Sequence, residues 1–516
     1  MDAHRPGRVR LLRVPALRGE PLRRGRRPGL QPRRENPVSD TAAGSVAGTV
    51  DAVVTAAAEA APEWSAAPRS RSSALVAVAG ALEAHRAELV ELADAESHLG
   101  PARLNGELTR TTFQLKLFAE QVDDGRYLDV RIDRPDPDWP TGPRPDLRRY
   151  RAALGPVLVF AASNFPFAFS VAGGDTASAW AAGCPVVVKA HPGHPRLSRR
   201  TAEVITAALH DAGAPDGVFA LVEGEEAGVE ALRHPELAAA AFTGSQRGGL
   251  ALARIAAERP VPIPFYGELG SVNPVIVTPA AAKARPDEIA DGYTGSVTQG
   301  AGQFCTNPGL LFLPADGGLL DAVARRVGEA SAAPMLNDRI ADGFADASRA
   351  LAGRPGVRTL VWPDDPTAPR LLAMDLAAFT ADLPAASEEC FGPLGLAVLY
   401  ERIEDVADAL AALPGQLTAS LHAEAEEAGE LGALAAALAD RAGRLLWNQW
   451  PTGVSVTAAM QHGGPFPATV GPATTSVGTA AIERFLRPVA YQNCPQELLP
   501  PPLRDDNPWN VPQSIG

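Results

Sequence analysis

Cys305 is the residue of this chain best suited to act as a nucleophile, because it stands in the small-residue segment GQFCTNPG, residues 302–309. A thiolate attacks carbon readily, but a thiol with an ordinary pKa of about 8.5 is mostly protonated at neutral pH. The preceding SVTQGAGQF predicts a turn or helix end that lets a substrate approach the sulfur and frees backbone N–H groups to face it. On this segment alone, a buried core cysteine fits equally well.

Two polar residues follow apolar strands and could assist such a thiol. Glu268, in FYGELGSVNP, lies 37 residues before Cys305, and its carboxylate could take a proton from the thiol or from water. Asn164, in VFAASNFPF, could donate its amide to a developing oxyanion. Both also have structural interpretations: Glu268 as a structural acid, and Asn164 as the turn residue before a helix that begins at Pro166.

Two further segments are typical of phosphate or ribose binding. Lys189 ends the apolar strand of PVVVKAHPGHP, although a lysine there is often only solvated. FTGSQRGG places Gly244, Ser245 and Gly249 between a strand and a helix, whose first N–H groups could face a pyrophosphate. The chain has no G-x-G-x-x-G motif, so spacing alone does not establish a dinucleotide site.

The elements that must position these residues alternate between short apolar strands and helices. PVLVFAA, PVVVKAH, GVFALVEG and AAAAFTGS predict a parallel sheet covered on both faces, and residues 273–448 predict a second α/β region. Residues 49–97 predict two helices. LDVRI and LRRYRAAL flank a Pro- and Asp-rich stretch and predict two strands that leave the body as an arm.

Composition indicates a globular protein and excludes several classes. The chain has 516 residues, a net charge of -13 and four cysteines without a C-x-x-C pair, so neither a zinc ribbon nor a disulfide framework is indicated. Residues 1–35 hold eleven Arg and three acids; they predict a basic, disordered extension, although nucleic acid or anionic lipid could also bind it. The acidic remainder argues against a nucleic-acid groove. No apolar run of membrane-spanning length or signal peptide is visible, which favours a cytoplasmic protein.

Taken together and in this order, SNFPF, VVVKAHP, FTGS, GELG, GQFC, EECFGP and WNQWPTG resemble the aldehyde dehydrogenase superfamily from about residue 36 to past residue 487. The segments HGGPFPAT and TTSVGTAAIERFLRPVAYQN are similar to its 2,5-dioxopentanoate (α-ketoglutarate semialdehyde) dehydrogenase branch. The resemblance implies an α/β fold with a Rossmann-type cofactor domain, an α/β catalytic domain and a small β oligomerisation arm.

The resemblance implies a dinucleotide-binding domain of residues 36–128 and 149–267, a catalytic domain of residues 268–468, and an arm with a C-terminal strand of residues 129–148 and 469–500. The implied assembly is a homodimer or homotetramer. A small aldehyde is the expected partner, with neither nucleic acid nor membrane, and no metal is expected.

The resemblance also implies roles. Cys305 attacks the aldehyde, the Asn164 side chain and the Cys305 N–H hold the oxyanion, and Glu268 activates the water that hydrolyses the thioester. Lys189 is expected to bind the adenosine ribose, and Gly244, Ser245 and Gly249 to lie on the pyrophosphate side. Glu389 of EECFGP is expected to bind the nicotinamide ribose, with Phe391 against that ring.

The sequence is compatible with more than one cofactor and more than one aldehyde substrate. Pro192 stands where NAD-preferring members often carry Glu, so NADP is permitted and slightly favoured over NAD, although Glu223, Glu225 and Glu226 lie near the adenosine side. The expected reaction is oxidation of 2,5-dioxopentanoate to 2-oxoglutarate in sugar-acid catabolism. Alternatives are a broad-specificity or fatty aldehyde dehydrogenase, and a cysteine hydrolase.

Two arginines and three histidines are further candidates for the site. Arg484 and Arg487 are candidates for a substrate carboxylate, but they fit solvated charges at a helix-to-strand connection better. A hydrolase would need a positioned histidine, and neither His191, His194 nor His462 stands in a recognisable partner motif.

Overall fold

The computed structural model of the protein describes residues 49–516, so the predicted basic extension of residues 1–35 lies outside the described part. Within that part, no helix is both long enough and apolar enough to cross a membrane. Sixteen α-helices are described for residues 49–516: α1 Val50–Ala66, α2 Pro68–Ala84, α3 Arg86–Ser97, α4 Pro101–Asp124, α5 Gly174–Ala182, α6 Pro195–Asp211, α7 Glu225–Arg233, α8 Gln246–Ala257, α9 Pro279–Ala284, α10 Pro286–Thr298, α11 Leu319–Glu329, α12 Asp338–Ala352, α13 Leu376–Ala381, α14 Leu383–Ala386, α15 Ile403–Ala412 and α16 Gly432–Ala439.

The sixteen strands of the described part are β1 Val130–Asp133, β2 Leu147–Ala153, β3 Val157–Phe160, β4 Val186–Lys189, β5 Phe219–Val222, β6 Ala239–Thr243, β7 Phe265–Glu268, β8 Val275–Val277, β9 Leu310–Pro314, β10 Arg358–Val361, β11 Arg370–Asp375, β12 Leu394–Tyr400, β13 Gln416–His422, β14 Ala442–Trp447, β15 Leu486–Gln492 and β16 Gln513–Ile515.

The first sheet is the five-stranded parallel sheet predicted from the apolar runs, in the order β5-β4-β3-β6-β7. Its strands are almost wholly buried, because helices cover both faces and leave no solvated side that would require alternating polar residues. The strand order reverses between β3 and β6. Ligands of open α/β sheets bind at the carboxyl ends of the strands beside such a reversal, which is where Asn164 and Lys189 lie.

The second sheet has seven strands in the order β10-β11-β12-β9-β8-β13-β14, parallel except for the antiparallel edge strand β10. Apolar clusters pack against its two faces. The nucleophile segment joins α10 to β9, and the EECFGP segment joins α14 to β12. Because β9 and β12 are adjacent and parallel, these two segments enter the sheet side by side.

A third sheet, in the order β15-β2-β1-β16, contains the two strands predicted to leave the body. It is wider than the predicted arm segments, since β2 continues to Ala153 and β16 lies at Gln513–Ile515. Arg148 anchors it: this buried guanidinium pairs with Asp146 at 2.8 Å and with Asp505 at 2.6 Å.

Two local predictions differ from the structure. Residues 49–97 form three helices, since α2 and α3 are separate. The helix expected to begin at Pro166 does not form there. Residues 164–173 make successive turns instead, and the next helix, α5, begins at Gly174. The turns are fixed by α4, where Glu107 accepts hydrogen bonds from the backbone N–H groups of Phe167 at 2.7 Å and Ala168 at 2.9 Å.

Candidate active site

The backbone conformation of residues 299–302 positions the loop that carries Cys305. After α10, the chain makes a 3₁₀ turn at Gln299–Gly302 in which Gly300, Ala301 and Gly302 all have positive φ, at 58°, 55° and 67°. A Cβ at Gly302 would overlap the carbonyl of Gly392, so glycine is required for the two loops to touch. Cys305 follows directly, with its side chain partly buried.

Two asparagines hold this loop in place. The Asn273 amide donates to the carbonyls of Cys305 at 2.8 Å and Asn307 at 2.9 Å. The Asn307 amide donates to the carbonyls of Gly302 and Gly392, both at 2.9 Å. With its carbonyl fixed in this way, Cys305 keeps a backbone N–H that donates to no acceptor among residues 49–516.

Asn164 lies beside the same loop, as predicted for an oxyanion donor. Its buried amide donates to the carbonyl of Gln303 at 3.1 Å, two residues before Cys305. The backbone carbonyl of Asn164 accepts a hydrogen bond from the Arg103 guanidinium at 2.7 Å. The Asn164 amide therefore lies beside the nucleophile loop, and its role as an oxyanion donor together with the Cys305 N–H stays a prediction.

Glu268 and Cys305 meet at a third residue, His462. The imidazole Nε2 lies 3.0 Å from Glu268 Oε1 and 3.6 Å from Cys305 Sγ. The imidazole lies at ion-pair distance from Oε1, which makes a charged pair only when His462 is protonated, and Oε1 accepts no well-aligned hydrogen bond from the described residues. The Ser476 hydroxyl donates to the other carboxylate oxygen, Oε2. A thiol, a base and a carboxylate are thus in mutual contact.

The electrostatics of this cluster keep the thiol protonated and the carboxylate charged. Burial, together with the negative charges of Glu268 and Glu389, raises the pKa of Cys305 well above its ordinary value. Burial alone would raise the pKa of Glu268 too, but the facing His462 and the hydrogen bonds of Ser476 and Cys305 outweigh it and lower that pKa. Cys305 therefore needs a base in order to react, and Glu268 is available as one.

No local motif predicts the contact of His462 with Glu268, which it follows by 194 residues. The structure fixes its backbone through the Thr475 hydroxyl, which accepts from the His462 N–H at 2.9 Å. The other two candidate histidines, His191 and His194, are not part of this cluster. His194 is buried against the Ala162 carbonyl at 2.9 Å, and burial lowers the pKa of His191 to about 3.

The residues predicted for the adenosine side of a cofactor lie at the carboxyl edge of the five-stranded sheet. Lys189 ends β4, half-buried, and burial lowers its pKa. Gly244 and Ser245 are exposed before α8, where the Ser245 hydroxyl caps the helix by accepting from the Gly248 N–H at 3.3 Å. Gly249 is buried within α8, where a Cβ would overlap Leu269, so packing of helix on strand already requires glycine there.

Glu389 and Phe391 lie on the loop before β12, at the edge of the nucleophile site. A Cβ at Gly270 would overlap the Glu389 carboxylate, and the Ser271 N–H donates to that carboxylate at 3.4 Å. Burial raises the pKa of Glu389 to about 7. Apart from this long bond, the carboxylate has no hydrogen bond from residues of the described chain, which leaves it free for the hydroxyl groups of a ribose.

Of the two arginines considered as substrate ligands, Arg484 lines a small cavity together with Glu268 and His462. Arg484 is buried and pairs with Asp175 at 2.7 Å, so both charges serve to join α5 to the segment before β15. Arg487 is exposed on β15. Glu268, Cys305 and His462 also bring ligand atoms within 4.8 Å of one another, so the residue types would suit a soft cation, although the absence of a resident metal stays a prediction.

The chain is similar in sequence to proteins of one known family. The profile of the aldehyde dehydrogenase family matches residues 24–343. "Alpha-ketoglutaric semialdehyde dehydrogenase 2" of Azospirillum brasilense is 48% identical over 455 residues, 86% of either chain. "Alpha-ketoglutaric semialdehyde dehydrogenase" of Acinetobacter baylyi (strain ATCC 33305 / BD413 / ADP1) is 41% identical over 456 residues, 87% of either chain.

A solved structure agrees in fold. The crystal structure of succinic semialdehyde dehydrogenase from Streptococcus pyogenes, in complex with NADP⁺, superposes with a TM-score of 0.70 at 18% identity, covering 86% of this chain and 94% of that one. Such a distant likeness supports the architecture alone, while the family profile and the two relatives span most of the sequence. The chain belongs to the aldehyde dehydrogenase family.

Proposed function

We propose that this protein oxidises α-ketoglutaric semialdehyde, 2,5-dioxopentanoate, to 2-oxoglutarate with a nicotinamide dinucleotide. The observation that carries the proposal is the contact of Cys305 with His462 and Glu268 beside the two oxyanion donors. The substrate is inferred from the names of the two relatives, which share 48% and 41% of their aligned residues with this chain.

The first step is addition of sulfur to the aldehyde. As Cys305 Sγ bonds to the carbonyl carbon, its proton passes to His462 Nε2, 3.6 Å away, or to Glu268. The carbonyl π electrons move to oxygen, and Asn164 Nδ2 and the Cys305 N–H stabilise the resulting oxyanion. The product is a thiohemiacetal on Cys305.

A nicotinamide cofactor fits the surrounding residues. Lys189, exposed Ser245 and the groove beside α7 line the adenosine side, while Glu389 has a carboxylate free for a ribose. The bound cofactor would supply the hydride acceptor, and loss of hydride from the substrate carbon would leave a thioester on Cys305. Phe391, on the same loop as Glu389, is assigned to pack against the nicotinamide ring.

Hydrolysis of the thioester then uses Glu268 as general base. Its lowered pKa keeps it ionised, and the Ser476 hydroxyl orients it. It removes a proton from water as the water oxygen bonds to the acyl carbon, and the Cys305 sulfur leaves with the electron pair of the broken bond. His462 can protonate the departing thiolate, and Glu268 then releases to solvent the proton that it took from water, which returns the site to its starting state.

We favour NADP as the cofactor, with NAD also accepted. Pro192 offers no carboxylate to repel a 2'-phosphate, and Glu223 is neutralised by Arg199 at 2.8 Å. Initial rates with NADP and NAD at equal subsaturating concentration measure the preference. A kcat/KM for NAD tenfold above that for NADP would overturn it.

We also retain the predicted domain assignment and assembly. The five-stranded sheet supports a cofactor domain ending at residue 267, and the seven-stranded sheet supports a catalytic domain from residue 268. The four-stranded sheet is assigned as the oligomerisation arm of a homodimer or homotetramer. Light scattering of the purified protein tests that assembly, and a monomer at micromolar concentration would contradict it.

The deciding assay mixes the protein with 2,5-dioxopentanoate and NADP or NAD and follows reduced nicotinamide by absorbance. We expect turnover with this substrate and its loss in Cys305→Ala, with cofactor binding retained. Reduction of neither cofactor with any aldehyde would refute the dehydrogenase assignment. The Cys305–His462 contact also suits a cysteine esterase. Hydrolysis of a nitrophenyl ester without cofactor, faster than aldehyde oxidation with it, would favour that second function.

A further inference from the structure

Besides Arg484, which is paired with Asp175, three arginines lie near the nucleophile site, and two of them are committed to loops. Arg103 donates to the backbone carbonyl of Asn164 at 2.7 Å, and its guanidinium lies over the rings of Phe165 and Phe304, 5.1 and 4.8 Å from their centroids. Arg444 donates through both terminal nitrogens, to the carbonyls of Gly453 at 3.0 Å and Pro451 at 2.6 Å. Each of these two arginines therefore supports the shape of a neighbouring loop.

Arg110 is the third, and its donors are unused. It lies two turns after Arg103 on α4, and its Nε and Nη2 atoms are buried yet donate to no acceptor within residues 49–516. It makes no ion pair in that part of the chain. Buried donors of native proteins are nearly always paired, and an unpaired buried charge is costly, so a guanidinium in this state indicates a missing anionic partner.

The nearest acid on the same helix does not supply that partner. Glu107 stands one turn before Arg110, but its Oε1 is already held by the N–H groups of Phe167 and Ala168. Burial raises the pKa of Glu107, which weakens it further as a counter-ion. Glu107 thus fixes the turns after Asn164. Its charge still acts on Arg110 and partly offsets the effect of burial on the Arg110 pKa, but neither carboxylate oxygen accepts a hydrogen bond from Arg110, so the Nε and Nη2 donors stay unused.

The position of Arg110 places its charge beside the reacting atoms. Its guanidinium lies over the ring of Phe169, 5.3 Å from the centroid, and the Phe169 ring is 6.3 Å from the His462 ring. His462 in turn touches Cys305. The positive charge of Arg110 is close enough to the sulfur to lower the pKa of Cys305, against the larger effects that raise it.

Phe169, whose ring lies beside both Arg110 and His462, has apolar surroundings. Phe169 belongs to a cluster with Ala162, Ala168 and Val477, against which Phe165, Val454, Val456 and Met460 pack. This wall suits the methylene groups of a short aldehyde. A planar guanidinium with two adjacent free N–H donors at the end of such a wall matches the two oxygens of a carboxylate.

We propose that Arg110 binds the distal carboxylate of the aldehyde substrate and so selects ω-carboxylated aldehydes over uncharged ones of the same length. This proposal rests on the function proposed above. It assigns to α4 a residue that determines substrate specificity, one that neither the sequence motifs nor the resemblance singles out.

The test compares three aldehydes, 2,5-dioxopentanoate, 5-oxopentanoate and pentanal, in the wild type, Arg110→Gln and Arg103→Gln. In Arg110→Gln, the ratio of kcat/KM for either carboxylated aldehyde to that for pentanal should fall about 10- to 100-fold, mostly through KM, because a charge-assisted bidentate contact is lost. Arg110→Lys should recover part of the ratio. Arg103→Gln is the matched control: it loosens Asn164, so all three rates should fall together and leave the ratio unchanged.

A non-reacting dicarboxylate gives a second measurement. Glutarate should inhibit pentanal oxidation competitively in the wild type, with an inhibition constant raised at least tenfold in Arg110→Gln. An unchanged specificity ratio and unchanged glutarate inhibition in Arg110→Gln, with cofactor binding intact, would overturn the proposal while leaving the proposed function standing. A wild type that oxidises pentanal but neither carboxylated aldehyde would instead refute the proposed substrate, and the role of Arg110 with it.

Discussion

The imidazole of His462 lies between the carboxylate of Glu268 and the sulfur of Cys305, at 3.0 Å from Oε1 and 3.6 Å from Sγ. A single Nε2 proton cannot serve both neighbours at once. The histidine can therefore pass a proton between them, taking one from the thiol during addition and returning it when the thiolate departs.

His462→Gln should consequently slow addition more than any other step. General base catalysis typically contributes on the order of 100- to 10,000-fold, and Glu268 can replace part of it, so we expect kcat/KM for the aldehyde to fall about 100-fold. Because the raised pKa of Cys305 keeps the thiol protonated, the variant should regain rate as the pH rises from 7 to 10. Stopped-flow measurement of cofactor reduction across that range checks this. A variant with the pH profile of the wild type would remove His462 from proton transfer.

Glu268→Gln should separate the two halves of the reaction. The glutamine cannot accept a proton from water, so the thioester should accumulate after the first turnover. We expect a burst of reduced cofactor of about one equivalent per site, followed by a steady-state rate lower by on the order of 100-fold or more. Rapid-quench analysis should detect the acyl group on Cys305. Steady turnover at the wild-type rate, without a burst, would contradict the role of Glu268 as the water-activating base.

Glu389 should make cofactor affinity depend on pH. Its pKa is raised to about 7, so the group is a neutral acid at pH 6 and a carboxylate at pH 8. Ribose hydroxyls donate more strongly to a carboxylate, so the cofactor Kd should fall about fivefold between these pH values, and binding near pH 7 should release protons. Titration of protein fluorescence with NADP measures the Kd. Glu389→Gln is the control, and an equal pH dependence in that variant would show that another group is responsible.

The buried pair of Asp175 and Arg484 should matter for stability rather than for specificity. Their side chains are 9% and 3% exposed, so removing one partner leaves the other charge buried and unpaired. Asp175→Ala should lower the free energy of unfolding by about 3–5 kcal/mol. The double variant Asp175→Leu with Arg484→Met should recover most of this loss. Chemical denaturation of both variants checks the expectation, and a single variant as stable as the wild type would contradict it.

Local patterns predicted the parts of the site that lie where strands end. Asn164, Lys189 and Glu268 follow apolar strands of one parallel sheet, so their meeting at one edge follows from the handedness of α/β connections. Cys305 was visible through its glycine-rich setting. The structure confirms the fold class and brings Cys305, Glu268 and Asn164 together, whereas their catalytic roles stay predictions.

The residues that local patterns missed depend on tertiary packing. His462 has no motif of its own and reaches Glu268 only because the segment before β15 folds back across β7. Arg110 stands on an exposed-looking turn of α4, among charged and polar residues of a helix that no predicted element included. The segment after Pro166 likewise depends on tertiary packing, since the buried Glu107 of α4 accepts hydrogen bonds from the backbone N–H groups of Phe167 and Ala168 and holds the turns that replace the expected helix.

Asn307 joins Gly302 to Gly392 through two hydrogen bonds, and this link has an evolutionary consequence. The loop carrying the nucleophile and the loop carrying Glu389 touch through two glycines with no room for a side chain. Neither loop can gain a residue or shift its register unless the other is rebuilt to match. Residues 302, 307 and 392 should therefore change together in evolution. The distance between the nucleophile and Glu389 should vary less among related proteins than the rest of the sequence does.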